Sequence, residues 1–129
     1  MILRRSLLLL SLVATAACDP GHLTDPDRFK KCQLNVEQDI FVAKCGLAGC
    51  HNANSPQNGL DLVTAGVGQR IKTGVSTVCM NKPLITYMAE KLGPMPACGS
   101  PMPLGNPLEA PELKCVNEYL ANLKADGGT

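Results

Sequence analysis

KCGLAGCHNA, residues 44–53, contains two cysteines separated by four residues, with a histidine directly after the second. Three chemistries use cysteine and histidine in this way: covalent haem attachment, metal coordination and disulfide formation. Haem attachment needs two neighbouring thiols and a histidine that reaches the iron from the same face, usually in the spacing C-x-x-C-H. The additional residues between Cys45 and Cys50 must therefore form a bulge, for which Gly46 and Gly49 are suited.

The first residues have the layout of an export signal. Arg4 and Arg5 precede an apolar run and then small residues in MILRRSLLLLSLVATAA, which is the three-part pattern of a signal peptide. The run is shorter than the ~20 apolar residues that a transmembrane helix needs. The signal ends in TAAC at 15–18, which resembles the lipobox of bacterial lipoproteins. We therefore expect residues 1–17 to be a lipoprotein-type signal peptide and Cys18 to be lipidated, anchoring the exported protein to a cell-envelope membrane on its periplasmic or outer side.

The composition indicates one small domain with few large side chains for its core. The chain has no Trp, two Phe and two Tyr beside ten Pro and twelve Gly. A core so short of rings must be filled by a bulky cofactor or held by crosslinks. Twelve Lys and Arg, two of them in the signal peptide, face eleven Asp and Glu. This balance gives no reason to expect nucleic-acid binding.

The apolar periodicity predicts a mostly α domain with three to four helices and long Pro/Gly-rich loops. We expect residues 18–31 to form a lipidated tether and residues 32–129 to form the domain. Helices are predicted over 29–45, 83–92 and 109–124, with a short helix or a loop over 60–72. No alternating strand pattern is visible. The segment GPMPACGSPMPLGNP, residues 93–107, holds five prolines and must be a stiff loop.

The proline-rich loop supplies two candidates for a second iron ligand. Met95 and Met102 each precede a proline in this loop. A methionine thioether is a common haem ligand in electron carriers, where it raises the reduction potential. A stiff loop can hold this weak ligand in place with little ordering cost.

The order of these features resembles the class I cytochrome c fold. It is closest to small bacterial lipoproteins with C-x4-C-H, GLDL and MPLG patterns, matched here at residues 45–51, 59–62 and 102–112. The match covers roughly residues 32–124. The resemblance implies a cytochrome c-like domain around one covalent haem c.

The resemblance also implies the roles of the site residues. Cys45 and Cys50 would attach the haem, His51 would be the proximal iron ligand and Met102 the distal one, with Met95 as second choice. The protein would carry electrons between redox partner proteins in the envelope, with no catalytic residues and no small-molecule substrate. An accessory role to an oxidoreductase stays open.

The remaining cysteines favour disulfides. Cys32, Cys79, Cys98 and Cys115 are left when the lipid and haem cysteines are set aside, and an even number in an exported protein favours two bridges. Three pairings are formally available. If the first and last helices cross as in cytochrome c, the resemblance implies Cys32 with Cys115 and Cys79 with Cys98.

Two other interpretations stay open. The chain could be a haem-free, disulfide-stapled binding or structural lipoprotein in which Cys45 and Cys50 form a bridge of their own or pair elsewhere. Alternatively, Cys45, Cys50 and His51 could bind zinc or copper with another cysteine or a methionine, although export makes reduced thiolates hard to maintain. The other histidine, His22, falls in the tether, where we expect it to be solvated.

Overall fold

The computed structural model describes residues 32–126 of the 129-residue chain. In chain order it contains α1 (Val36–Cys45), a single 3₁₀ turn (Gln57–Gly59), α2 (Val67–Thr73), β1 (Val75–Ser76), β2 (Lys82–Pro83), α3 (Leu84–Lys91) and α4 (Ala110–Ala125). The described part is thus a small, mostly α fold with little sheet, as the periodicity predicts. The expected signal peptide, lipidated Cys18 and tether, with His22, lie outside the described residues.

Helix α1 is wound as a π-helix and begins at Val36. The prediction that this helix extends back to Phe29 is wrong for the part that can be compared, since residues 32–35 are not helical. Asn35 is the N-cap of the helix, because its side chain accepts a 3.3 Å hydrogen bond from the Gln38 amide. Asp39 in turn accepts a 3.0 Å bond from the Asn35 amide, so the first turn is capped from both directions.

The core lies where the four helices α1 to α4 meet. Phe41 packs edge-on against Tyr119, with ring centroids 5.6 Å apart and an interplanar angle of 85°. The side chains buried in this core are mostly aliphatic and include Ile40, Val67, Ile71, Val116 and Leu120. An additional Cβ at Gly68 would lie 2.8 Å from the Tyr119 hydroxyl oxygen. The absence of a side chain at this position therefore lets α2 approach the crossing of α1 and α4.

A short antiparallel hairpin connects α2 to α3. Val75 pairs with Pro83 and Ser76 with Lys82, and the Leu84 amide donates a 2.8 Å hydrogen bond to the Gly74 carbonyl. With two residues in each strand, the hairpin is too short to produce an alternating pattern in the sequence. It fixes the position at which α3 begins.

Two pairs of cysteines outside the motif lie next to one another. Cys79 and Cys98 form a disulfide with their Cα atoms 5.8 Å apart, which is the pair that the resemblance implies, and it ties the hairpin to the proline-rich loop. Cys32 and Cys115 are in hydrogen-bond contact through their side chains. Burial first, and then contacts with Cys115 and Glu118, raise the pKa of Cys32 to about 12. A disulfide between Cys32 and Cys115 stays a prediction.

Among the helices of residues 32–126, none is both long enough and apolar enough to cross a bilayer.

Candidate functional site

A cavity of about 710 Å³ lies beside the Cys-Cys-His motif, which begins at Cys45, the last residue of α1. Cys45, Cys50, His51 and Met102 all line it, so the structure brings together the four residues that the resemblance assigns to a haem. Met95 does not line the cavity, and its side chain is 91% exposed. The volume is within the ~300–1,000 Å³ range of ligand and cofactor sites.

The motif closes into a compact loop despite its unusual spacing. The His51 amide donates a 3.0 Å hydrogen bond to the Cys45 carbonyl, which joins the two ends of the loop. Inside it, the Cys50 amide donates a 2.9 Å bond to the Leu47 carbonyl. Gly49 has a φ of 79°, a conformation that glycine adopts without strain. The bulge expected at this glycine is therefore present.

Gly46 serves the motif for a different reason. Its φ of −85° is open to any residue, but an added Cβ would lie 2.3 Å from Cγ2 of Val63. Its amide donates a 2.7 Å hydrogen bond to the Phe41 carbonyl, five residues earlier, which is the π-helical pattern. The end of α1 thus packs closely against the segment after His51, where a side chain would not fit.

A backbone carbonyl orients the imidazole of His51. Nδ1 of the ring lies 3.1 Å from the carbonyl oxygen of Leu60. Because a carbonyl can only accept, Nδ1 carries a proton, and in the neutral imidazole Nε2 is then the nitrogen with a free lone pair. A metal-binding histidine is usually oriented in this way, through the nitrogen that does not bind the metal.

The turn that presents the Leu60 carbonyl is held by Asp61. Its carboxylate accepts hydrogen bonds from the amides of Val63 at 2.8 Å and Thr64 at 3.0 Å. Hydrogen bonds from Thr64, followed by that from Val63, lower the pKa of Asp61 to about 2. The GLDL segment thus contributes to the site by placing the Leu60 carbonyl beside the His51 ring. The sequence does not indicate this role, because every residue has a backbone carbonyl.

Lys91, to which no motif of the sequence points, holds the loop that carries Met102. The Met102 amide donates a 2.7 Å hydrogen bond to the Lys91 carbonyl. The Lys91 ammonium donates to the carbonyls of Cys98, at 3.1 Å, and Ser100. A lysine in a helix that ends beside a loop is normally solvent-exposed, so the sequence pattern gives no indication of this contact.

The two motif cysteines differ in their environment. Cys50 is exposed, whereas Cys45 is partly buried at the end of α1. Burial, and secondarily the charge of Cys50, raises the pKa of Cys45 to about 11, and the Lys44 ammonium partly opposes this. Lys44 itself forms a 2.6 Å ion pair with Glu112, which is almost completely buried at the start of α4.

The remaining wall of the cavity is mainly apolar, and its cations already have partners. Apolar side chains come from α1, α3 and the loops: Phe41, Leu62, Leu84, Met88, Leu92 and Leu108. The Arg70 guanidinium donates to the carbonyls of Asp61, at 3.0 Å, Ala65, at 2.8 Å, and Thr64. The cavity thus presents apolar surface together with two thiols, an imidazole and two thioethers, those of Met88 and Met102.

The zinc or copper interpretation receives no support from this arrangement. Within residues 32–126, no three His, Cys, Asp or Glu side chains are grouped so that they could hold a metal ion. Cys45, Cys50 and His51 line the same cavity without forming such a group.

No protein-family model, no curated protein and no solved structure matches this chain.

Proposed function

We propose that this protein is a single-haem c-type cytochrome that carries electrons in the cell envelope. The observation that carries the proposal is the convergence of Cys45, Cys50, His51 and Met102 on one cavity, with the His51 ring held by the Leu60 carbonyl. These residues come from two segments far apart in the chain. Their meeting at one cavity is a stronger argument than the motif alone.

The residues around the cavity fit a haem in number and in chemistry. Two thiols are available for thioether bonds at Cys45 and Cys50, and Nε2 of His51 has the lone pair that an iron ligand needs. Met102 would supply the second ligand, as the resemblance implies, and of the two methionines in the proline-rich loop it is the one that lines the cavity. When bound, a haem supplies one-electron exchange between Fe(II) and Fe(III).

The protein's own contribution is to bind, orient and shield that group. The Leu60 carbonyl fixes the tautomer and orientation of His51. The mainly apolar walls would keep water from a bound haem, and an apolar surrounding favours the less charged reduced state and so a higher reduction potential. No residue of the cavity needs to act on a substrate, so the proposal includes electron transfer to partner proteins and no catalysis.

The proposal includes a location. A lipid on Cys18 would anchor the domain to a bacterial envelope membrane through the tether of residues 18–31, on the periplasmic or outer side. The partners would be redox proteins at that membrane surface.

The decisive test is a reduced pyridine haemochrome spectrum together with an intact mass. The protein would be expressed in a periplasm that contains a cytochrome c maturation system. We expect a c-type band and a mass gain of one haem. The Cys45→Ala/Cys50→Ala variant should lose both, whereas Cys79→Ala/Cys98→Ala, which removes the same number of cysteines, should retain them.

The cavity also supports a second candidate, a haem-free binding lipoprotein. Its apolar walls could take a small apolar ligand, and the Cys79–Cys98 disulfide with the adjacent Cys32 and Cys115 provides the crosslinks that such a fold would use. In that case the intact mass would contain no haem and would be lower by two hydrogens for each of three bridges. That result would overturn the cytochrome proposal.

A further inference from the structure

Lys91 is a buried cation at the end of α3. Only 8% of the residue is exposed, which is unusual for lysine, because an ammonium loses its hydration when it is buried. Its partners are the carbonyls of Cys98 and Ser100 and the ring of Tyr87, whose centroid is 5.6 Å from Nζ. None of these is a carboxylate.

The same residue also holds the loop through its backbone. The Lys91 carbonyl accepts a 2.7 Å hydrogen bond from the amide of Met102. The side chain and the main chain of Lys91 therefore bind residues 98–102 at three points. Gly99 lies between the two carbonyls that the ammonium contacts, and a Cβ there would be 2.9 Å from Nζ.

The contacts account for the burial of this charge. Hydrogen bonds from a charged donor are stronger than those between neutral groups, and two carbonyl oxygens with an aromatic ring replace part of the lost hydration. Burying the ammonium still costs desolvation free energy, which an apolar residue of similar size at this position would not lose. The charged group differs from such a residue in that its hydrogen bonds define the geometry of the loop.

We propose that Lys91 is a positioning residue that fixes the 98–102 loop so that Met102 faces the cavity. This inference rests on the proposed function only for the identity of the group that Met102 would bind. The geometric claim, that Lys91 determines the position of Met102, concerns the chain's own residues and can be tested separately.

The first readout needs no haem. The exchange rate of the Met102 amide hydrogen, measured by NMR on the purified full-length protein, reports whether the bond to the Lys91 carbonyl is closed. In Lys91→Met we expect this exchange to be about tenfold faster or more, with the Val116 amide in the middle of α4 unchanged. Lys82→Met is the matched control, because Lys82 pairs with Glu90 and does not line the cavity.

The second readout uses the haem-loaded protein. Imidazole can bind the iron only in molecules whose Met102 has moved away, so its apparent affinity rises with that fraction. We expect Lys91→Met to bind imidazole about tenfold more tightly, equivalent to about 1.4 kcal/mol, and Lys82→Met to bind it as the unsubstituted protein does. Lys91→Arg keeps the charge and the hydrogen-bond donors. Its imidazole affinity should therefore be close to that of the unsubstituted protein.

The outcomes separate the two proposals. Protein without haem would overturn the cytochrome assignment, and the Met102 amide would still decide the role of Lys91. Unchanged exchange at Met102, or equal acceleration at Met102 and Val116, would show that Lys91 contributes only to general stability. If Lys91→Met does not fold, Lys91→Gln takes its place, since it removes the charge and shortens the side chain. Its amide exchange at Met102 is then compared with that at Val116 in the same way.

Discussion

Tyr119 donates a 2.5 Å hydrogen bond to Oε1 of Glu37, across the crossing of α4 and α1. The same oxygen accepts a 3.2 Å bond from the amide of Gly68 in α2. One carboxylate oxygen thus joins three helices, and none of the three residues involved lines the cavity. This junction makes the helix packing dependent on a neutral phenol beside a negative charge.

The junction predicts a loss of stability in alkaline solution. Burial first, and then the bond and charge of Glu37, raise the pKa of Tyr119 well above its usual value. A raised pKa means that the folded state retains a proton that the unfolded state releases, so this contribution is complete below the unfolded pKa of about 10 and is lost as the pH rises further. We expect the Tm to fall more steeply above pH 10 in the unsubstituted protein than in Tyr119→Phe.

The measurement is a series of thermal melts between pH 8 and pH 12. Tyr87→Phe is the control, because it removes a phenol that is not bonded to Glu37, and it should keep the steep fall. Parallel curves for the unsubstituted protein and Tyr119→Phe would mean that Tyr119 has no part in the alkaline loss.

Replacing His51 should prevent stable haem loading. His51→Ala removes the only imidazole that lines the cavity among residues 32–126. We expect the haem content, measured by pyridine haemochrome per mole of protein, to fall close to zero. His22→Ala, which removes the other histidine of the chain, should load normally. Normal haem content in His51→Ala would contradict the proposed proximal ligand.

The two methionines of the proline-rich loop should behave differently. Met102 lines the cavity, whereas Met95 is 91% exposed. In the visible spectrum of the loaded protein, Met102→Ala should lose its six-coordinate low-spin character, and Met95→Ala should retain it. The reverse result would transfer the distal role to Met95.

The Cys79–Cys98 disulfide should stabilise the fold by restricting the unfolded chain. The two cysteines are 19 positions apart, and the loop-entropy relation then gives a stabilisation of about 3 kcal/mol. We expect urea unfolding of Cys79→Ala/Cys98→Ala to show a free energy of unfolding lower by this amount. Met80→Ala, an exposed neighbour of the disulfide, should change it by less than about 0.5 kcal/mol.

The parts of the fold with strong periodicity could be predicted from the sequence. The last helix is predicted over 109–124 and observed over Ala110–Ala125, because its apolar stripe continues for four turns and its first turn carries a proline. The third helix likewise agrees within one residue at each end. The start of α1 could not be located in this way, since the apolar positions before it suggest helix while Asn35 caps it.

The candidate site was predictable where it depends on side-chain chemistry. Cysteines, a histidine and a methionine before proline are distinctive residue types, and all four line the cavity. The supporting contacts were not predictable, because the Leu60 carbonyl and the carbonyls that bind Lys91 belong to the backbone. Which backbone carbonyl contacts a given side chain depends on the path of the folded chain, and residue types alone do not indicate it.

The burial of Cys45 has a kinetic consequence. Disulfide exchange proceeds through the thiolate, and with a pKa of about 11 only about 1 in 10⁴ of the Cys45 thiols is ionised at pH 7. An ordinary thiol with a pKa near 8.5 is ionised to about 3% at that pH. A thiolate of higher pKa is a stronger nucleophile, which offsets part of this difference. Once the domain has folded, Cys45 should therefore react with other disulfides about twentyfold more slowly than an ordinary cysteine. Early folding thus protects one sulfur of the motif from scrambling with the chain's other cysteines.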